Sequence, residues 1–216
     1  MQGWWVIDTL NQSPALLATW IFWIIFSICL HELGHGWAAI WQGDRTPIDA
    51  GHMTWNPFVH MGPMSLLLFA LFGFAWGAMP VNPSRFRSRY GDALVAAAGP
   101  LMNVILGVFC LAGVAILFRV VSSGAVDVSK TFNLFMFFHT GLSLNIFLVM
   151  FNLFPVPPLD GSRILGNFVP GFYRLFNGEK GQFVMVFGFA VLYMFASRPM
   201  QRVAWQTSDA LVQFVM

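Results

Sequence analysis

An all-α, polytopic membrane protein is the fold class this sequence predicts, with about four transmembrane helices and a re-entrant or surface hairpin, near residues 61–80, that does not cross. Three observations carry that expectation: only 9% of the 216 residues are charged, 57% are hydrophobic with a mean hydropathy of +0.69, and the polar residues fall in short stretches between long uncharged runs. Soluble domains carry about 25% charged residues. A chain with so few cannot clothe a water-facing globule.

The first apolar run, Pro14 to Trp41, is long enough to cross about 30 Å of hydrocarbon as a helix, and its last third holds His31, Glu32 and His35. The first basic residue, Arg45, lies beyond this run. No basic n-region of a signal peptide precedes it, so the N-terminus is expected to be mature sequence. Residues 42–60 are polar and rich in turn formers, with Gly43, Pro47, Gly51 and Pro57, and read as irregular or short extended structure. Residues 61–80 are apolar but broken by Gly62, Pro63, Gly73, Gly77 and Pro80, which leaves too short a core to span.

Residues 93–118 form the second expected span. Gly99, Asn103 and Gly107 fall four apart on one face there, a small-residue stripe that lets membrane helices approach closely. The third covers residues 133–153, ending before Pro155, Pro157 and Pro158, which cannot continue a helix. Residues 181–197 read as a fourth span and 198–216 as an interfacial tail. The chain is expected to be a single membrane-embedded domain over residues 1–216, with no soluble regulatory module. Cys29 and Cys110 lie in apolar runs without metal-type spacing and read as buried thiols. The net charge of +2 shows no clustered basic footprint, so lipid rather than nucleic acid is the expected partner.

His31-Glu32-Leu33-Gly34-His35 places two histidines at i and i+4 on one helix face, about 5–6 Å apart at Cβ, a spacing suited to one metal ion. For this composition the chance of such a motif arising by accident is about 0.001. Ionisable side chains within a membrane helix cost at least ~2.5 kcal/mol each unless paired or hydrated. A divalent cation offsets that cost for the imidazoles and, through water, for the carboxylate. Catalytic zinc commonly has three protein ligands. Among the acidic residues Asp160 stands out: it follows the uncharged run 131–159 directly and sits between Pro157-Pro158-Leu159 and Gly161, which fix the backbone.

His-Glu-Leu-Gly-His, taken with Ala98-Gly99-Pro100-Leu101-Met102-Asn103 and with Asn152-Leu153-Phe154-Pro155-Val156-Pro157-Pro158-Leu159-Asp160-Gly161, resembles the site-2 protease family of intramembrane zinc metalloproteases. The resemblance runs from the first helix through residue 163. It implies one Zn2+ per chain held by His31, His35 and Asp160, Glu32 as the catalytic glutamate, and a transmembrane segment of another protein as substrate. Gly51-His52-Met53-Thr54-Trp55-Asn56-Pro57 further suggests the compact subgroup.

A shared metal requires His31, His35 and Asp160 at one depth, each toward the C-terminal end of its helix. The first and third spans must then run the same way, which forbids residues 61–80 from crossing. Charge bias agrees: without a crossing, Arg45, Arg85, Arg87, Arg89, Arg163, Arg174 and Lys180 share the inner side, leaving Arg119, Lys130, Arg198 and Arg202 outside. This places the active site nearer the cytoplasmic side of a cell membrane. The Arg85, Arg87, Arg89 cluster reads as a topology anchor beside headgroups.

In the expected mechanism Glu32 takes a proton from the attacking water and returns it to the leaving amine. The unwound substrate pairs as an extended strand against residues 48–56. Asn103, Asn145 and Asn152 are candidate oxyanion or substrate-binding donors, with helix-to-helix hydrogen bonding the equal alternative. His52, His60 and His139 read as structural. The rival functions are a metal or proton transporter and an inactive metal-binding scaffold. A transporter would string polar residues along a pore, and the intact Glu32 argues against inactivity.

Overall fold

The protein is described here from a computed structural model covering residues 4–124, 126, 128–169, 171, 172 and 179–216, without the side chains of residues 128–130, 179, 180, 182 and 184. Ser13 separates a short helix, α1 (Trp5–Gln12), from the first long one, α2 (Pro14–Trp41). Its hydroxyl accepts the Leu16 N–H, and Pro14 occupies the first helical position, where a missing N–H costs nothing.

The stretch after α2 is not extended. Thr46–Asp49 forms one helical turn, α3, started by Pro47 and by Asp44 Oδ1, which accepts from the Thr46 N–H and hydroxyl. Residues 50–55 continue as turns and bends, so the irregular form of the structure expected for 42–60 holds and 48–56 offers no extended segment for a substrate strand to pair with. α4 (Pro57–Phe72) is interrupted at Gly62, whose φ of +68° resets the direction so that Pro63 begins a new segment. Gly73, at φ +71°, then ends it.

The hairpin expected near 61–80 packs along α2, and its return arm lies on that helix. Met53 and Met79 meet α2 at Gly36, Gly77 meets it at Glu32 and Ile28, and Gly73 borders a cavity with Ile24 and Trp20. The return arm therefore follows α2 from Gly36 to Trp20, about 24 Å at 1.5 Å per residue. Backbone groups packed against so apolar a helix need internal partners. Trp4 Nε1 donates to the Ala70 and Leu71 carbonyls at the end of α4, while the Ser65 hydroxyl bonds both the N–H and the carbonyl of Trp76.

α5 (Gly91–Ser122) lies at the centre of the molecule, packed against α2, α6 (Val128–Asn152), α7 (Asp160–Phe168) and α8 (Glu179–Val215). Gly34 of α2 packs on the Ala98 carbonyl, and Gly141 of α6 packs on Trp23, whose Nε1 donates to the Phe137 carbonyl. His31 reaches Asn103 and His35 reaches Val95, so α2 and α5 are antiparallel. Asn103 reaches Asn145 and Gly113 packs on Phe138, so α5 and α6 are antiparallel too. α2 and α6 thus run in the same direction, as a shared metal requires. The core between them is built from Trp23, Leu30, Leu33, Leu106, Cys110 and Leu142.

Among the described residues three helices are long and apolar enough to cross a membrane: Pro14–Trp41, Gly91–Ser122 and Thr131–Asn152. The expected fourth span, 181–197, and the tail, 198–216, belong to one continuous α8 that passes through Pro199. The tail is packed rather than peripheral. Met200, Ala204, Ser208 and Val212, four apart, make a buried stripe, and Asp209 bonds His139 of α6. Arg174 lies outside the described residues, as do the side chains of Lys130 and Lys180.

Candidate metal centre

His31, Glu32 and His35 are all buried in the last third of α2. Asp160 is not at the end of α6, where it was expected, but is the first residue of α7. It arrives there because the chain turns back after Asn152 through Pro155 and the cis Pro157-Pro158 bond. Gly161 then packs directly on the Leu153 and Phe154 carbonyls, a contact that leaves no room for a side chain. Arg163, one turn on, donates Nη2 and Nε to Asp92 Oδ1 at 2.6 and 3.2 Å and ties α7 to the first turn of α5.

The three groups converge. His31 Nε2 lies 3.1 Å from Asp160 Oδ2, His35 Nε2 lies 3.3 Å from Asp160 Oδ1, and the two Nε2 atoms are 3.0 Å apart. A tetrahedral zinc site with bonds of about 2.0–2.1 Å has ligand-to-ligand edges of about 3.3–3.4 Å, close to these separations. α5 makes the space: a Cβ at Gly99 would lie 2.5 Å from both Nε2 atoms.

Donor and acceptor roles sharpen the fit. His35 Nδ1 is 2.7 Å from the Val95 carbonyl, which can only accept, so that nitrogen carries the proton. His31 Nδ1 is 2.7 Å from Asn103 Oδ1 and donates to it. With each Nδ1 engaged, both rings turn Nε2 inward, toward each other and toward a carboxylate. Asp160 Oδ2 is buried and accepts no hydrogen bond. Unprotonated, three electron-pair donors at this range repel one another, and a cation between them relieves the repulsion. The residues present fit one metal ion, and His31, His35 and Asp160 are a group that could hold it.

Glu32 accepts no hydrogen bond from a described residue. Its carboxylate lies under Gly77 of the return arm. Asn103 and Asn145, candidates for contacting substrate, are both fully buried and bonded to protein: Asn103 Nδ2 donates to Asn145 Oδ1 at 2.9 Å, and Asn145 Nδ2 donates to the Gly141 carbonyl at 2.8 Å. A substrate-facing donor cannot be sealed in this way, so the geometry favours helix-to-helix bonding. Asn152 is half-buried and donates to the Leu148 carbonyl. His139 bonds Asp209, His60 reaches the Thr54 carbonyl, and His52 reaches that of Ala50, all away from the centre. Sequence reasoning missed Gly77, Gly99 and Arg163, whose roles exist only once another segment lies on them.

Comparison with known proteins follows the same line. The model of peptidase family M50 matches residues 19–195. The chain is 37% identical over 166 residues to YwhC of Bacillus subtilis (strain 168), a protein named as a zinc metalloprotease, covering 74% of this chain and 72% of that one. It is 31% identical over 172 residues to Rip2 of Mycobacterium tuberculosis (strain ATCC 25618 / H37Rv), named likewise, covering 76% of this chain and 62% of that one. Rip2 of Mycolicibacterium smegmatis (strain ATCC 700084 / mc(2)155) is 31% identical over 153 residues, covering 68% and 54%. No solved structure matches the chain.

Proposed function

The chain belongs to peptidase family M50, and on that premise we propose that it is an intramembrane zinc metalloprotease, cleaving peptide bonds in or near transmembrane segments of other membrane proteins. The observation that carries the reading is the convergence of His31, His35 and Asp160, from α2 and α7, beside the buried Glu32. Polar groups strung along a pore would have favoured transport.

His31 and His35, each anchored through Nδ1, present Nε2 to one Zn2+, and Asp160 supplies the third ligand. When bound, zinc polarises the scissile carbonyl and lowers the pKa of a water molecule. Glu32, free of other hydrogen bonds, takes the proton of the attacking water and delivers it to the leaving amine. Asn152 can offer its second amide hydrogen to the substrate, a role for which Asn103 and Asn145 are too deeply buried.

Substrate comes laterally from the bilayer. The return arm over residues 74–82 replaces 48–56 as the segment lying along it, since that arm is neither helix nor strand and rests on Glu32. A cavity of about 250 Å3, bordered by Ile24, Ile28, Phe74, Ser143 and Trp205, begins one α2 turn from Glu32 and suits apolar side chains. The basic side chains of the 42–90 segment support a centre toward the cytoplasmic face of a cell membrane.

Glu32→Gln tests the reading. It abolishes cleavage of a transmembrane reporter protein in proteoliposomes while zinc stays at about one per chain. Retained cleavage overturns the mechanism.

A further inference from the structure

The Asn145 side chain does not touch the metal centre, yet its amide sets the order of every proton between α6 and His31. The Gly141 carbonyl can only accept, so Asn145 must turn Nδ2 toward it, at 2.8 Å. Asn145 Oδ1 then faces Asn103 Nδ2, at 2.9 Å, and Asn103 Oδ1 faces His31 Nδ1, at 2.7 Å. An oxygen in that place requires a proton on His31 Nδ1, so that in the neutral ring a metal needs the lone pair is on Nε2, which faces His35 and Asp160. Asn103 and Asn145 are both fully excluded from solvent, so water cannot substitute for either.

We propose that Asn145 is a positioning residue: acting through Asn103, it holds His31 in the tautomer and ring orientation that grip the metal. The proposal rests on His31 being a ligand. Without Asn145 the Asn103 amide has no reference and can turn over, presenting Nδ2 to His31. The ring must then place its proton on Nε2, where the metal binds. Outer partners of metal-bound histidines commonly control affinity by roughly 10–100-fold.

The experiment measures zinc affinity by chelator competition on the full chain in detergent, in a Glu32→Gln background so that no proteolysis intervenes. Asn145→Leu, of similar volume, is expected to weaken zinc binding at least tenfold, and to alter the visible absorption bands of the Co2+-loaded protein. Asn145→Asp, whose carboxyl in protonated form can donate to the Gly141 carbonyl and keep an oxygen opposite Asn103 Nδ2, is expected to restore affinity to within a few-fold of the parent when measured at mildly acidic pH. Thr140→Val, which removes a fully buried hydroxyl without a partner on the same helix, is the packing control and leaves both readouts unchanged. If His31→Ala loses zinc while Asn145→Leu binds it as tightly as the parent, the relay is wrong and the ligand assignment stands. Equal weakening by Asn145→Leu, Asn145→Asp and Thr140→Val also overturns it. A His31→Ala protein with undiminished affinity refutes the metal reading itself, and the relay with it.

Discussion

Gly77 is seated on the carboxylate of Glu32: a Cβ at this position would lie 2.5 Å from Oε1, 2.6 Å from Cγ and 2.8 Å from Ile28 Cγ2. The return arm of the hairpin therefore fixes where the glutamate points, and a methyl group there must displace either the arm or the acid. Misplacing a catalytic group by about 1 Å can cost on the order of 100-fold in rate. Gly77→Ala is expected to lower kcat by roughly 10–100-fold on a transmembrane reporter while bound zinc, measured by elemental analysis, stays at one per chain. A variant of unchanged kcat would show that the arm does not constrain Glu32.

Gly99 makes the complementary prediction. Its missing side chain is what lets α5 pass over both imidazoles, with a Cβ there falling 2.5 Å from His31 Nε2 and His35 Nε2. Gly99→Ala should expel the metal or force the two helices apart, with loss of zinc and of activity together. Gly107, on the same face of α5, has only ordinary contacts at 3.7 Å or more, and Gly107→Ala should leave zinc content unchanged. The contrast, read by metal analysis, separates the cradle from a general small-residue stripe.

Legibility in the sequence followed the range of the physics. His31, Glu32 and His35 could be read because helical spacing brings them together, and Asp160 because a carboxylate against an apolar run is costly. The parallel course of α2 and α6 followed from asking where one ion must sit. The course of the hairpin along α2 did not, since residues 74–82 have no periodic pattern and are held by single contacts such as Ser65 with Trp76. Gly77 and Gly99 were invisible as site residues because a glycine's role is defined by what approaches it. The buried stripe of α8 escaped because Ala204 and Ser208, both packed against neighbours, are weakly apolar, and because Pro199 reads locally as a stop.

Arg163 and Asp92 hold Asp160, the proposed third ligand, in place from a distance. The guanidinium reaches Asp92 Oδ1 through two nitrogens, both side chains are about three-quarters buried, and Asp160 lies one turn away on the same helix. Charge-assisted hydrogen bonds of this kind contribute about 1.5–3 kcal/mol. Arg163→Leu is expected to destabilise the docking of α7, lowering the thermal midpoint by several degrees and weakening zinc binding several-fold. A stability loss with zinc affinity intact would assign the pair to α7 packing alone.

Asp44 supplies the pH dependence. It is fully buried; burial raises its carboxyl pKa, but the Asn82 N–H at 2.6 Å, the Thr46 hydroxyl and N–H, and Arg85 more than offset this and hold it below the ordinary value of 3.8. A carboxylate whose folded pKa lies below its unfolded one stabilises the fold above the ordinary value, and that contribution disappears as pH falls through the folded value. Because Asp44 joins the start of the loop to the end of the return arm, the segment that should loosen in acid is the hairpin rather than the helical core. Limited proteolysis or hydrogen exchange between pH 7 and 3 should show residues 42–90 opening first as the pH drops below about 4. Asp44→Asn should open the segment already at pH 7 and flatten its dependence on pH. An Asp44→Asn protein with the parent's acid profile would place the titrating group elsewhere.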